Sequence, residues 1–169
     1  DTYEGVYGSS PSSPLIELQF NLHRNFSLGS ISLEIGGGIF QAESAIDAID
    51  SSLEIIPVRL GLQYALDIIF YEPYIVPYVS GGAYLVKYTE SQGTTSFNGT
   101  TQMAPYATAG LLFQLDWLDR DSARISYQEA GVENTYLYIE GRKFIQSSAA
   151  QDPNFETDLH ANAGFRIQF

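Results

Sequence analysis

The segment from Phe155 to Phe169 alternates without a break. Phe155, Thr157, Leu159, Ala161, Ala163, Phe165, Ile167 and Phe169 fall on one face of an extended strand, and Glu156, Asp158, His160, Asn162, Gly164, Arg166 and Gln168 fall on the other. Strands in soluble sandwiches usually run about 5 to 6 residues, whereas a strand crossing a bilayer at a tilt near 45° needs about 9 to 11. The apolar face of this segment is therefore long enough to cross a membrane. The whole chain has 169 residues, the length of one domain, and eight tilted strands with their connections use nearly all of them. The expected fold is all-β: a single domain spanning residues 1–169, built as a closed antiparallel up-and-down transmembrane β-barrel of eight strands.

Composition narrows the alternatives. Hydrophobic residues make up 44% of the chain, but charge, proline or glycine interrupts every long run, so a transmembrane helix is not expected. Cysteine is absent, which removes disulfides and thiolate metal sites. The net charge of −12 with only eight basic residues, none of them clustered, argues against a nucleic-acid partner. The start of the chain lacks a basic segment followed by an apolar run, so an exported protein would be represented here in its mature form. Twelve Tyr, ten Phe and one Trp suit two interfacial aromatic girdles.

Further strands follow along the chain. Tyr3, Val6 and Tyr7 suggest a short or irregular first strand, followed by a Ser/Pro loop at 9–14. Ile16, Leu18, Phe20 and Leu22 alternate with Glu17, Gln19, Asn21 and His23, and a tight turn is expected at Asn25 and Phe26. Ile31, Leu33, Ile35 and Ile39 oppose Ser32, Glu34, Gly36 and Gly38; the glycine run lacks the helix and lysine of a phosphate loop and serves curvature instead. Val58, Leu60, Leu62 and Tyr64 should face outward and Pro57, Arg59, Gly61, Gln63 and Asp67 inward. Residues 74–89 are apolar on both faces, which leaves their inward side open. Residues 41–52 and 89–102 read as loops, the first acidic, and Ala107 to Trp117 reads as another strand, with Trp117 at an interface. Residues 119–134 fit either a strand or a helical turn capped near Asp121 and Gly131.

Two short patterns resemble a known class. The terminal aromatic Phe169, with Ile167 and Phe165 in step behind it, resembles the last strand of Gram-negative outer-membrane β-barrels. The Pro77-Tyr78-Val79-Ser80-Gly81 run resembles a strand of the outer membrane protein A family, and most of the chain is similar to the small A, X and W barrels as a class. This resemblance implies an outer-membrane location with the C-terminus in the periplasm, and contact with outer-membrane lipid and lipopolysaccharide. It also implies recognition of Phe165, Ile167 and Phe169 by the barrel-assembly machinery, and an envelope protein partner reached through the loops. Counting strands back from the C-terminus puts segments 9–14, 41–52, 89–102 and 146–154 outside if 119–134 is one periplasmic connection.

The chemistry-bearing residues point away from catalysis. A hydrolase triad would need His23 or His160, and the two are separated along the barrel by about 20 Å or more. His160 with Glu140, Glu156 and Asp158 loosely resembles a lipid A deacylase site, but it shares the inward face and has no serine beside it. Asn25-Phe26-Ser27 and Asn98-Gly99-Thr100 match a glycosylation pattern that a bacterial origin makes incidental, and Asp116, Asp119 and Asp121 lack the spacing of a calcium loop. No catalytic, metal or cofactor residues are assigned, and no cofactor is expected. Inward charges of both signs, Glu17, Glu34, Arg59, Asp67, Glu140, Arg142, Asp158, His160 and Arg166, are expected to form an ionic network filling the lumen. A final hairpin centred on Ala150 would set Arg142 opposite Asp158, Glu140 opposite His160 and Tyr136 over Gly164. A two-residue slip would set Arg142 opposite Glu156 or His160 instead. The reading is a non-enzymatic outer-membrane barrel with a filled polar lumen. Its rival from another class is a soluble lipocalin-like carrier with the faces inverted.

Overall fold

The computed structural model describes residues 15–43, 51–67, 74–148 and 152–168. The expected N-terminal strand and the loop at 9–14, most of the acidic loop, the turn around residue 70, Ala150 and Phe169 lie outside them. Eight strands follow one another: β1 (Ile16–Phe26), β2 (Gly29–Glu43), β3 (Ser51–Ala65), β4 (Ile75–Gln92), β5 (Thr95–Thr100), β6 (Ala104–Gln114), β7 (Asn134–Phe144) and β8 (His160–Gln168). All pairings are antiparallel, in the order β1-β2-β3-β4-β6-β7-β8, with β5 on β4. The sheet curls into an open half-barrel.

The alternation read in the sequence is the alternation of the fold. On β2, Ser30, Ser32, Glu34 and Gly36 are buried while Ile31, Leu33 and Ile35 are exposed; on β3, Pro57, Arg59, Gly61, Gln63 and Ala65 are buried while Val58, Leu60 and Leu62 are exposed. The face that alternation left open on β4 is settled by its tyrosines: Val76, Tyr78, Ser80, Tyr84 and Val86 are buried within the curl, and Val79 and Lys87 face out.

Several boundaries differ from expectation. Segment 89–102 is largely strand, because β4 runs on to Gln92, turns at Gly93 with φ of 56°, and returns as β5. Thr101 bridges the break between β5 and β6: its N–H donates to the Val86 carbonyl at 2.9 Å and its hydroxyl accepts from the Val86 N–H at 3.0 Å. β5 and β6 thus act as one stave broken near its middle. The curl has seven staves, and its two edges, β1 and β8, run in the same direction. Among the described residues they share no backbone ladder, so the expected closure is not formed by these seven alone.

Segment 119–134 is helical. Helix α1 (Arg120–Ala130) starts two residues earlier than the Asp121 signal suggested, with Asp119 as its N-cap, and ends at Gly131 with φ of 71°. The Asp119 carboxylate accepts from the Ser122 N–H at 3.0 Å and the Ser122 hydroxyl at 2.7 Å, and the Gly131 N–H donates to the Tyr127 carbonyl at 3.1 Å. Both ends are capped locally, which an 11-residue helix with no buried residue requires.

The terminal strand is shorter than its alternation suggested. It begins at His160, not Phe155, because the ladder slips next to the end of β7: the Thr157 N–H donates to the Phe144 carbonyl at 3.2 Å and its hydroxyl accepts from the Phe144 N–H at 3.1 Å. Phe155 turns away from the outward face and packs on Tyr84, Val86, Ala104 and Tyr106 inside the curl, with Tyr88 at 5.9 Å. The register of the last hairpin is the two-residue slip: Arg142 lies opposite His160 and Glu140 opposite Asn162, so Tyr138, not Tyr136, covers Gly164.

Candidate functional site

The inward faces of β1, β2, β3 and β7 bring Glu17, Glu34, Arg59, Glu140 and Arg142 into one cluster. Each stands at an inward parity position of a strand that curls toward the others, so residues far apart in sequence meet. Arg59 donates from Nε to Glu34 Oε1 at 2.9 Å and from Nη2 to Gln19 Oε1 at 2.6 Å, and its Nη1 pairs with Glu17. Glu17 uses its second oxygen on Arg142 Nη1 at 2.6 Å, and Arg142 Nη2 reaches Glu140. A single glutamate on β1 therefore joins two guanidinium groups on β3 and β7.

Two tyrosines complete the cluster. The Tyr106 hydroxyl donates to Glu34 at 3.0 Å and the Tyr78 hydroxyl to Glu140 at 2.6 Å. With Glu34 2% and Arg142 1% exposed, these charges are out of water, and only pairing with further hydrogen bonds makes such burial tolerable. Three glutamates face two arginines here. The third cation, Arg166 on β8, lies within electrostatic range of Glu34 and Glu140 and donates to Gln63 Oε1 at 3.1 Å, which brings the interior close to neutrality.

Not every expected member joins. Asp158 and His160 are exposed: Asp158 precedes β8, and His160, although opposite the inward Arg142, is the first residue of that edge strand. Asp67 lines the cavity below the cluster without an ion pair among the described residues. Gln19 and Gln63 were read on the polar faces of their strands but not placed in the network, and Tyr78 and Tyr106 were not assigned to the interior from the sequence. Tyr106 was within reach, since it shares parity with the inward Thr108 and Gly110, whereas Tyr78 sits on the strand whose two faces look alike.

The cluster divides the interior. On the side of the β4–β5 hairpin, Tyr84, Val86, Ala104 and Tyr106 pack with Ile55, Phe144 and Phe155 into an apolar plug. On the side of α1, Ala65, Val76, Leu112 and Tyr136, packed with Tyr78, line one wall of a cavity of about 740 Å³. Asn25, Asp67, Gln114, Asn134 and Gln168 stand around it at or next to the α1-side ends of their strands, and Leu18, Phe20, Leu22, Phe165 and Ile167 line it as well, so the cavity reaches both edges of the curl. A smaller void of about 120 Å³, bounded by Glu17, Arg59, Tyr78, Tyr138, Glu140 and Arg166 among others, lies between the two.

The outward surface is the reverse of the interior. Leu18, Phe20 and Leu22 on β1 are each 72% exposed, and Ile31, Leu33 and Ile35 on β2, Val58, Leu60 and Leu62 on β3, Ile139 on β7 and Phe165 and Ile167 on β8 continue an apolar surface from edge to edge. At its α1 end, Trp117 is exposed and meets Tyr74 edge-on at 6.1 Å. No helix among the described residues is long and apolar enough to cross a membrane, and no group of three His, Cys, Asp or Glu among them is placed to hold a metal ion. His23 touches the Gln168 amide at 2.8 Å and has no serine or carboxylate hydrogen-bonded to it among the described residues. No family model, curated protein or solved structure matches the chain.

Proposed function

We propose that this chain is a non-enzymatic integral outer-membrane β-barrel with a filled polar lumen. In this reading its C-terminus is periplasmic, and it serves envelope structure, surface interaction through its loops, or an envelope assembly as a subunit. The observation that carries the reading is the inverted distribution of polarity. A buried ionic cluster crosses the inside, while Leu, Ile, Val and Phe cover the outside. In water that arrangement exposes the apolar surface and buries the charge, both at a cost; in a bilayer the same outward surface is solvated by lipid.

Strand parity supports closure. A closed barrel in which every neighbour is antiparallel needs an even number of staves, and the described chain supplies seven. The eighth is the short first strand read in the sequence at Tyr3, Val6 and Tyr7, which lies outside the described residues. The outward surface would then contact outer-membrane lipid and lipopolysaccharide, and Phe165, Ile167 and Phe169 would be the signal read by the assembly machinery. The lipocalin-like alternative calls for an apolar interior around a ligand and a polar exterior, the opposite of the distribution seen around Arg59 and Leu60.

Cell fractionation with detergent extraction, followed by electrophoresis with and without boiling, tests the proposal. The protein is expected in the outer-membrane fraction, released only by detergent, with faster migration unboiled. Recovery from the soluble fraction with identical mobility in both lanes overturns it.

A further inference from the structure

Strand β5 pairs with β4 alone. On the other side of that stave the neighbour is β7, but β7 stops at Phe144, opposite Tyr106 of β6, and does not reach the level of β5. The outer edge of β5 therefore carries no ladder among the described residues, and residues 95–98 and Thr100 are exposed. Alternation fixes what this edge presents. The Thr101 N–H donates to the Val86 carbonyl on β4, and the next N–H, that of Gln102, points the other way and donates to Asp152 Oδ2 at 2.7 Å. Counting back by twos, the N–H and C=O groups of Thr100, Asn98 and Ser96 face away from β4. We infer that β5 takes up an extended basic segment of a partner polypeptide as an added strand, antiparallel to β5 and in line with β7.

The edge lacks the devices that keep strands from pairing. Residues 93–102 include no charged residue and no proline, and Phe97 is 58% exposed. In strand addition the backbone groups supply the pairing and alternate side chains the selectivity. Charge selects a basic partner: at this end of the strands Glu43, Glu54, Glu90 and Asp152 stand against Lys87 and Lys143, and the whole chain carries −12. A second copy brings the same charge, so self-pairing is opposed. The inference deepens the reading of surface interaction through the loops, and it rests on that reading only for the side of the membrane from which the partner comes.

The probe is a short peptide alternating lysine with threonine, compared with its glutamate counterpart, measured by calorimetry and amide exchange on the full chain folded in detergent. The lysine peptide is expected to bind, more weakly as salt is raised, and the glutamate peptide at least about tenfold more weakly. Exchange at Ser96, Asn98 and Thr100 should slow when the lysine peptide is added, while Phe97 and Gly99, whose N–H groups face β4, should not change. Asn98→Pro removes one outward N–H and spares the β4 ladder, so it is expected to weaken binding about tenfold; Asn98→Ala keeps the N–H and should bind as wild type. Circular dichroism reads the fold of each variant, and the exchange pattern of the wild type tests the edge should Asn98→Pro fail to fold. Absence of lysine-peptide binding to the folded wild type overturns the inference, as do unchanged binding in folded Asn98→Pro and slowing spread equally over residues 95–100. Equal binding of the glutamate peptide, or self-association of the chain through β5 that excludes the peptide, overturns the basic-partner assignment. Recovery of the chain from the soluble fraction would remove the membrane reading and leave this binding test standing.

Discussion

Glu17 on β1 and Arg142 on β7, 125 residues apart in sequence, form a 2.6 Å ion pair inside the curl, with Glu17 bonded through its other oxygen to Arg59. Because Arg142 is almost completely buried, replacing it with alanine strands Glu17 and Glu140 with less compensation than they need. Arg142→Ala is expected to cost about 3 to 5 kcal/mol in urea unfolding from detergent or lipid, the range for breaking a buried pair. Glu17→Ala should be strongly non-additive with it, whereas Asp158→Ala, on an exposed residue, should change stability by no more than about 0.5 kcal/mol and add to either. A loss in Asp158→Ala as large as that in Glu17→Ala would contradict this arrangement of the interior.

The partner of Arg142 marks the boundary of what the sequence discloses. Period-two alternation assigns an inward side to Glu17, Glu34, Arg59, Glu140, Arg142 and Arg166, because the side of a strand follows from parity alone. Which of these meet depends on how tightly the sheet curls, and no local signal carries that. The last hairpin was misplaced by two residues because its register was anchored on the middle of a loop, while the ladder is set by the bulge at Thr157 and Phe144. Alternation also ran past the true start of β8: Phe155 has the parity of the outward face, but it gains more by packing on Tyr84 and Tyr88 inside. The α1 ends were legible because capping is local chemistry. The same two-residue error set Tyr136 over Gly164, whereas its partner is Arg166.

Two glycines of the sheet should respond oppositely to alanine. A Cβ on Gly61 would meet the Tyr106 hydroxyl and the Gly81 carbonyl oxygen, the latter at 2.7 Å, and Tyr106 is held in place by its bond to Glu34. Gly61→Ala is therefore expected to cost about 1 to 3 kcal/mol through overpacking. Gly37, by contrast, has only the Pro57 carbonyl at 3.8 Å in the way, so Gly37→Ala should be neutral or stabilise by up to about 1 kcal/mol. Paired urea titrations check the contrast, and equal losses at the two positions would count against Tyr106 lying over Gly61.

Helix α1 should be sensitive to acid. Hydrogen bonds from the Ser122 N–H and hydroxyl hold the Asp119 carboxyl below its ordinary value. A carboxylate whose folded pKa is depressed contributes stability above its unfolded value, and that contribution is lost as pH falls through the lower, folded value. Protection of the Arg120–Ala130 amides, taken relative to the intrinsic exchange rate at each pH, is therefore expected to be constant from neutrality down to the ordinary carboxylate range and to fall below it. Asp119→Asn, which retains an N-cap acceptor, should flatten that dependence, and Asp119→Ala should lower protection across the range where the wild-type carboxylate is charged. An acid response that persists in Asp119→Asn would assign it to another group.

The outward face offers the sharpest separation between a membrane barrel and a soluble carrier. Leu60 lies on β3 between the inward Arg59 and Gly61, is 54% exposed, and has apolar neighbours on the same face in Ile35 of β2 and Ala83 of β4. If lipid solvates this face, Leu60→Arg places a charge in hydrocarbon and should cost about 2 to 4 kcal/mol near the midplane, falling to about 0 to 1 near an interface. If water solvates it, the same change replaces an exposed leucine with a well-hydrated side chain and should stay within about 0.5 kcal/mol while improving solubility. Refolding wild type and Leu60→Arg into lipid vesicles, and comparing urea midpoints with those of the matched change at the exposed loop-side residue Gln102, distinguishes the two. A penalty at Leu60 that disappears at Gln102 is expected. Equal midpoints for Leu60→Arg and wild type, with soluble protein recovered in the absence of lipid, would place the apolar face in water.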